Sequence, residues 1–260
     1  MSVDAVRDAF AALRAVVARG RSAGVGFLAA AIAYYALVSL VPLTALVALA
    51  VAVVAGDRVA GLVVTLLGDS LSGAGREAVR EVLTSATGRS RATAVGLAVL
   101  LWGAGRLFRG LDRAFARVYR TRDRDGVLGH LRDAVVTLAG VLAAAVALAG
   151  IEFVPVVGTA GGAVGAVVRV ALLGLLLFPA YYVLPDAPVG VREAVPGTVL
   201  CAVGWAALYA ALDLYVAATG GRALSDIVGA VVLVVTWLYA AAFLLLVGAT
   251  VNAVLADRRD

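Results

Sequence analysis

The sequence predicts an all-α, polytopic membrane protein with six transmembrane helices and an N-terminal amphipathic helix. Of its 260 residues, 63% are hydrophobic and 15% are charged, and the mean hydropathy is +1.02. A soluble domain is usually about half apolar and about one quarter charged. This chain has too few polar groups to cover a water-exposed surface, so we expect hydrocarbon to surround most of it, with no soluble domain large enough to act alone.

The first element is an amphipathic helix at residues 1–22. Its Asp and Arg side chains take one face and its large apolar side chains take the other. We expect this helix to lie on the cytoplasmic side in the plane of the membrane interface, with Arg19 and Arg21 toward the headgroups. A soluble helix packed on the cytoplasmic loops is the alternative. The apolar positions recur at helical spacing and are Val3, Val6, Phe10, Leu13 and Val17.

A six-helix transmembrane domain is expected at residues 23–256, because six apolar runs follow the first helix. A bilayer core needs about 20 helical residues, and five of the runs meet that length alone. The second run is shorter, but its pattern continues through Phe115, so we expect that helix to extend beyond the membrane. The runs cover residues 27–55, 92–105, 134–154, 161–184, 195–218 and 227–255.

The distribution of arginine predicts the orientation. Every basic residue of the chain is Arg, and Arg is abundant before the first run, between the second and third runs, and in the tail at 257–260. The positive-inside rule then places both termini and the Arg-rich loop at about 106–133 in the cytoplasm, and the loop at about 56–91 outside. We therefore expect a multi-pass protein of the cell membrane. The absence of Lys also indicates a GC-rich prokaryotic genome.

The residues that commonly carry catalysis are scarce, and the sequence predicts no enzyme, cofactor or metal site. A phosphate-binding Walker loop needs a Lys, and zinc sites need several Cys or His, of which the chain has only His130 and Cys201. Asp123, Asp125 and Asp133 could in principle hold a Mg²⁺ ion, but the arginines that alternate with them would neutralise the site. We expect no nucleic-acid partner; the sequence does not identify protein partners and is compatible with an oligomer.

An arginine stripe follows the second apolar run. Its five members step by three or four residues, so they share one helix face. As the helix leaves the bilayer, each would contribute about 1 kcal/mol of attraction to an anionic surface. The expected partners are therefore anionic membrane lipids, and a solvated face that only sets topology is the alternative. The stripe consists of Arg106, Arg109, Arg113, Arg117 and Arg120.

Two further sets of polar residues lie in the apolar runs. With the topology above, Glu152, Arg169 and Asp213 fall toward the outer ends of their helices, where ionised groups need a partner or water. We expect Arg169 to pair with one or both acids, in an outward vestibule or in a plain interfacial salt bridge.

The first apolar run contains a proline near its middle. A proline frees a backbone carbonyl one turn earlier, and interrupted helices at this depth line substrate paths in transporters, although they also occur as simple kinks. The candidate path residues are Tyr34, Tyr35, Ser39 and Pro42.

Several segments together resemble the YihY/BrkB family of membrane proteins, which also carries the older label ribonuclease BN. They are AAAIAYYALVSLVPL at 29–43, LLWGAGRLF at 100–108, YYVLPDAPVGVREAVPG at 181–197 and WLYAAAFLLLVGATVNAVL at 237–255. Where the family often has an acid in its last helix this chain has Thr250, and a Tyr-Gly pair that often precedes that helix is replaced by SDIVGA at 225–230.

The resemblance implies a six-helix protein of the cytoplasmic membrane, in a family for which a role in envelope lipid export has been proposed. The leading functional hypothesis is a transporter or translocation factor for a lipid-like or amphipathic envelope substrate. The alternative is a membrane scaffold that recruits partners through its Arg-rich cytoplasmic helix, and a ribonuclease comes last.

Overall fold

Six helices follow one another in the part of the chain that the computed structural model describes, which comprises residues 3–55, 86–121, 163–185, 187, 189–219 and 227–257. These residues contain no strand, which confirms the all-α class for them. The helices are α1 (Val3–Ala23), α2 (Val25–Ala55), α3 (Ala86–Tyr119), α4 (Ala163–Val183), α5 (Val191–Thr219) and α6 (Ile227–Ala256).

Three of these helices are long and apolar enough to cross a membrane. They are Gly165–Val183 in α4, Val191–Thr219 in α5 and Val228–Ala256 in α6. The bent pair formed by Val6–Ala23 and Val25–Leu40, with an angle of 59°, would make a fourth if it is one broken span. The run at 134–154 and most of the loops at 56–91 and 106–133 lie outside the described residues.

The boundaries of α3 differ from the sequence prediction at its start. This helix begins at Ala86, inside the segment predicted as the outer loop. Residues 86–91 contain two arginines and four small residues, and none of the six is a proline that would break a helix. At its other end α3 continues past its apolar run to Tyr119. That this extension leaves the membrane stays a prediction.

Gly24 joins α1 to α2. Its φ of +71° lies in the left-handed region that side chains disfavour, and its N–H donates to the Arg21 carbonyl at 3.1 Å. A glycine in this conformation ends a helix by satisfying one of its last carbonyls. The chain therefore changes direction between the amphipathic helix and the first apolar one.

The start of α5 is closed by a polar cap. The Gly190 N–H donates to Glu193 Oε2 at 3.0 Å, and the Glu193 N–H donates back to the Gly190 carbonyl at 2.9 Å. This reciprocal arrangement resembles a capping box, with glycine in place of the usual Ser or Thr. It allows α5 to begin four residues before the predicted apolar run at 195–218.

The chain divides into two compact units. Unit 1 comprises Met1–Ala33 with Phe108–Asp260, and unit 2 comprises Tyr34–Leu107. In unit 1, α5 packs against α4 and α6, and α1 packs against α6. The core of unit 1 includes Phe115, Tyr181, Leu246 and Cys201, all of which are fully buried.

Candidate functional site

A buried asparagine connects α6 to the start of α5. Asn252 is 1% exposed; its Oδ1 accepts a hydrogen bond from the Gly197 N–H at 2.6 Å, and its Nδ2 donates to the Ala194 carbonyl at 3.0 Å. Pro196 lies inside the helix between these two partners and contributes no N–H of its own. The amide side chain thus pairs with backbone groups where a proline disturbs the helix.

The backbones of α5 and α6 meet at two glycines. A Cβ added at Gly197 would overlap the Gly248 carbonyl oxygen and lie 2.7 Å from Asn252 Cγ. A Cβ added at Gly248 would lie 2.6 Å from the Gly197 carbonyl oxygen and would also overlap the Tyr181 hydroxyl. Small residues at helix contacts let backbones approach this closely, which is how helices associate where lipid provides no hydrophobic force.

Tyr181 links α4 to the same place. Its side chain is fully buried, and its hydroxyl donates to the Leu245 carbonyl of α6 at 2.7 Å. Its ring lies 5.9 Å from the ring of Phe115 in α3, centroid to centroid. Cys201, a buried free thiol, and Thr250, whose hydroxyl donates to the Leu246 carbonyl at 2.7 Å, complete this part of the core. We call Tyr181, Gly197, Gly248, Thr250 and Asn252 the polar cluster.

Arg19 ties the end of α1 to the ends of α3 and α6. Its guanidinium donates to the Val118 carbonyl at 2.9 Å and forms a salt bridge with Asp257. A cation at the C-terminal end of a helix satisfies carbonyls that have no partner within the helix. The prediction that Arg19 faces the headgroups is therefore wrong: Arg19 is 8% exposed, while Arg21 is exposed as expected.

Tyr119, at the end of α3, carries a second buried hydroxyl. Burial raises its pKa well above the ordinary value. The oxygen lies near the Asn252 side chain without a hydrogen bond of normal geometry to any described residue.

The predicted path residues lie on α2, in unit 2. Tyr34 is 59% exposed and its ring packs edge-to-face on that of Tyr35 at 5.3 Å. Ser39 is buried and donates to the Tyr35 carbonyl at 2.8 Å, and a Cβ at Gly103 of α3 would lie 2.6 Å from the Ser39 hydroxyl. Pro42 lies within α2, and the surroundings of its side chain are outside the described part.

All five members of the arginine stripe are exposed, whereas Ala114, Phe115 and Val118 on the opposite face of α3 are buried. The Arg106 guanidinium lies 5.0 Å from the centre of the Trp102 ring, in a cation–π contact. Arg120 follows the end of α3 in a left-handed conformation, with a φ of 59°. The stripe is thus presented outward, and lipid binding by it stays a prediction.

The outer ion-pair cluster is only partly described. Arg169 on α4 and Asp213 on α5 are both exposed and form no ion pair with each other. Glu152 lies outside the described residues, as do His130, Asp123 and Asp125. Within the described segments, no three His, Cys, Asp or Glu side chains come together in a way that could hold a metal ion.

Sequence reasoning did not identify the polar cluster. A signal was present: Gly248 and Asn252 are four residues apart on one face of a charge-free helix, and Pro196 with Gly197 interrupts another apolar run. Only the structure shows that these two signals belong together, because nothing in the sequence pairs α5 with α6.

Comparisons with known proteins give one family and one curated relative. A family model described as "Virulence factor BrkB" matches residues 16–260. A Bacillus subtilis protein named "Putative ribonuclease-like protein YfkH" is 25% identical over 184 residues, which cover 63% of this chain. The match spans 66% of that relative, just under two thirds of its length. No solved structure matches the chain.

Proposed function

This chain belongs to the BrkB family of membrane proteins, and we propose that it is a six-span protein of the cytoplasmic membrane that moves a lipid-like or amphipathic envelope substrate. In this proposal the protein has no enzymatic activity, both termini are cytoplasmic, and anionic lipids are its partners. The apolar helices α4, α5 and α6 support the membrane location.

The helix ends of unit 1 support the six-span count. Phe115 near the end of α3 and Tyr181 near the end of α4 contact each other, so these two helices finish at the same level. A chain that leaves α3 there and begins α4 at the opposite level must cross the bilayer once between them, and the apolar run at 134–154 would supply that crossing. Arg19 contacts Asp257 at this same level, which favours both termini on one side.

The exposed arginine stripe is the observation that carries the proposal. Tryptophan favours the membrane–water boundary, so the Trp102–Arg106 contact is suited to the depth at which α3 leaves the hydrocarbon. The arginines that follow would then lie at headgroup level or beyond, where they attract anionic lipid toward the protein. Many exposed basic side chains on one face favour this side as cytoplasmic.

Lipid movement can be measured directly. The purified protein is reconstituted into vesicles that contain a fluorescent phosphatidylglycerol, and dithionite is used to bleach the probe in the outer leaflet. We expect dithionite to bleach more than half of the probe, because probe that starts in the inner leaflet is moved to the outer leaflet. The double substitution Arg109→Gln and Arg117→Gln should slow this exposure selectively for the anionic probe, while a fluorescent phosphatidylcholine serves as the matched control. Protein-free kinetics in every sample would reject the transport proposal.

The scaffold hypothesis uses the same arginine stripe with a protein as its ligand. Failure to move lipid, together with unchanged folding of the double variant, would favour it. The name of the Bacillus subtilis relative raises ribonuclease activity as a third candidate, for which the described residues offer no metal site. Mg²⁺-dependent RNA cleavage by the purified protein would support that candidate against the other two.

A further inference from the structure

The amphipathic helix α1 presents an uncovered row of large apolar side chains. Val6, Phe10, Leu13 and Val17 are 49%, 69%, 60% and 44% exposed. Their spacing of four, three and four residues places them in one stripe along the helix. We call these four residues the α1 stripe. Exposing so many large apolar side chains side by side in water would be unfavourable.

The rotation of α1 is fixed by the opposite face. At about 100° per residue, Arg19 lies roughly 150° around the helix from the centre of the α1 stripe. Arg19 is held by the Val118 carbonyl and by Asp257, and Ala23 on the same side is buried. Since this face is bound to the ends of α3 and α6, the α1 stripe cannot turn toward unit 1 without breaking those contacts.

A row of arginines runs along one edge of the α1 stripe. Arg7, Arg14 and Arg21 recur every seven residues, are all exposed, and lie roughly 70° from the centre of the stripe. Asp8 is also exposed but lies on the far side of the helix. A hydrophobic stripe flanked by cations is complementary to a surface with apolar tails below and negative headgroups above.

We propose that the α1 stripe inserts into the boundary between headgroups and acyl chains of an anionic bilayer, with Arg7, Arg14 and Arg21 bound to lipid phosphates. The contacts of Arg19 with the Val118 carbonyl and with Asp257 would hold α1 at the level where the membrane helices end. The partner of the α1 stripe is therefore the surface of the same membrane that unit 1 spans. Another large apolar side chain, Phe27 at the start of α2, is 78% exposed.

The test places a polarity-sensitive probe on each side of α1 in the full-length protein. Single cysteines replace Phe10 or, as the matched control, its exposed neighbour Ala11, in a Cys201→Ala background. Both proteins are labelled with NBD and reconstituted into vesicles of phosphatidylcholine with phosphatidylglycerol. We expect the probe at position 10 to be quenched by nitroxide lipids and protected from iodide, and the probe at position 11 to show the reverse. Equal iodide quenching at both positions would overturn the proposal.

The role of the arginines is tested by the triple substitution Arg7→Gln, Arg14→Gln and Arg21→Gln. At about fivefold per charge, the insertion equilibrium should fall by roughly 100-fold in anionic vesicles and change little in pure phosphatidylcholine. Monodisperse gel filtration and unchanged tryptophan emission confirm that each variant is folded. The probe at position 10 could instead be protected from iodide by a second copy of this chain. In that case nitroxide lipids would not quench the probe, and the protection would disappear when the protein is diluted in lipid. This result would refute lipid insertion.

Discussion

Replacing Gly197 by Ala should weaken the contact between α5 and α6 more than any other single methyl group added to this interface. The new Cβ would overlap the Gly248 carbonyl and lie 2.7 Å from Asn252 Cγ, well inside van der Waals contact. A backbone carbonyl cannot turn away as the end of a flexible side chain can. The two helices must therefore separate, and the 2.6 Å hydrogen bond from the Gly197 N–H to Asn252 must lengthen.

The magnitude follows from three contributions. Forcing one extra methyl group into a packed contact costs about 1–3 kcal/mol. Loss of the hydrogen bond adds about 1 kcal/mol, and the better helix propensity of Ala returns about 0.5–1 kcal/mol. We expect a net destabilisation of about 1–3.5 kcal/mol. At Gly174 the nearest atoms to an added Cβ are 4.0 Å away, so Gly174→Ala should be neutral or stabilising by up to about 1 kcal/mol.

Unfolding in mixed micelles by increasing SDS provides the assay. Trp205 reports on the same pair of helices, because its Nε1–H donates to the Ala241 carbonyl of α6 at 3.1 Å and its ring lies 6.2 Å from that of Trp237. The transition of Gly197→Ala should move to lower SDS, while that of Gly174→Ala should not. Equal stability of Gly197→Ala and the parent chain would show that α5 and α6 do not meet through their backbones.

Three further predictions use the same titration. Asn252→Leu should cost about 1–3 kcal/mol, because the buried Gly197 N–H loses its bond to Asn252 and the Ala194 carbonyl keeps Thr198 Oγ1 but loses the Asn252 donor; an unchanged midpoint would contradict this. Arg19→Gln and Asp257→Asn should couple by about 0.5–1 kcal/mol in a double-mutant cycle, since the carboxylate is 58% exposed and screened by water; strict additivity would deny the salt bridge. Gly103→Ala should destabilise by about 1–3 kcal/mol and be partly rescued by Ser39→Ala, because the serine hydroxyl is the atom it would strike; absence of rescue would contradict that contact.

The helices could be predicted from the sequence because their signals are local. Residues 227–255 are apolar without a charge, and α6 occupies Ile227–Ala256. The apolar pattern that continues through Phe115 predicted a helix extending past the second run, and α3 extends to Tyr119. Hydropathy and helical periodicity depend on neighbours within a few turns, so they need no knowledge of the tertiary fold.

The contacts between helices could not be predicted in the same way. Arg14, Arg19 and Arg21 all belong to the polar part of α1, yet Arg19 alone of the three is buried, because the Val118 carbonyl and Asp257 meet it from distant parts of the chain. Its burial depends on residues 99 and 238 positions away. A pattern that places arginine on a polar face cannot distinguish headgroups from the end of another helix as its partner.

The polar cluster bears on where a lipid-like substrate would travel. Asn252 and Tyr181 link α4, α5 and α6 through hydrogen bonds to backbone groups, and Gly197 meets Gly248 with no side chain between the two helices. Passage between these helices would have to break those bonds together while leaving polar backbone groups in hydrocarbon, which is costly. The cluster therefore favours a static end of unit 1. Tyr34, on a different unit and 59% exposed, carries no such restraint, so the proposed path is better placed along α2 than through the contact of α5 with α6.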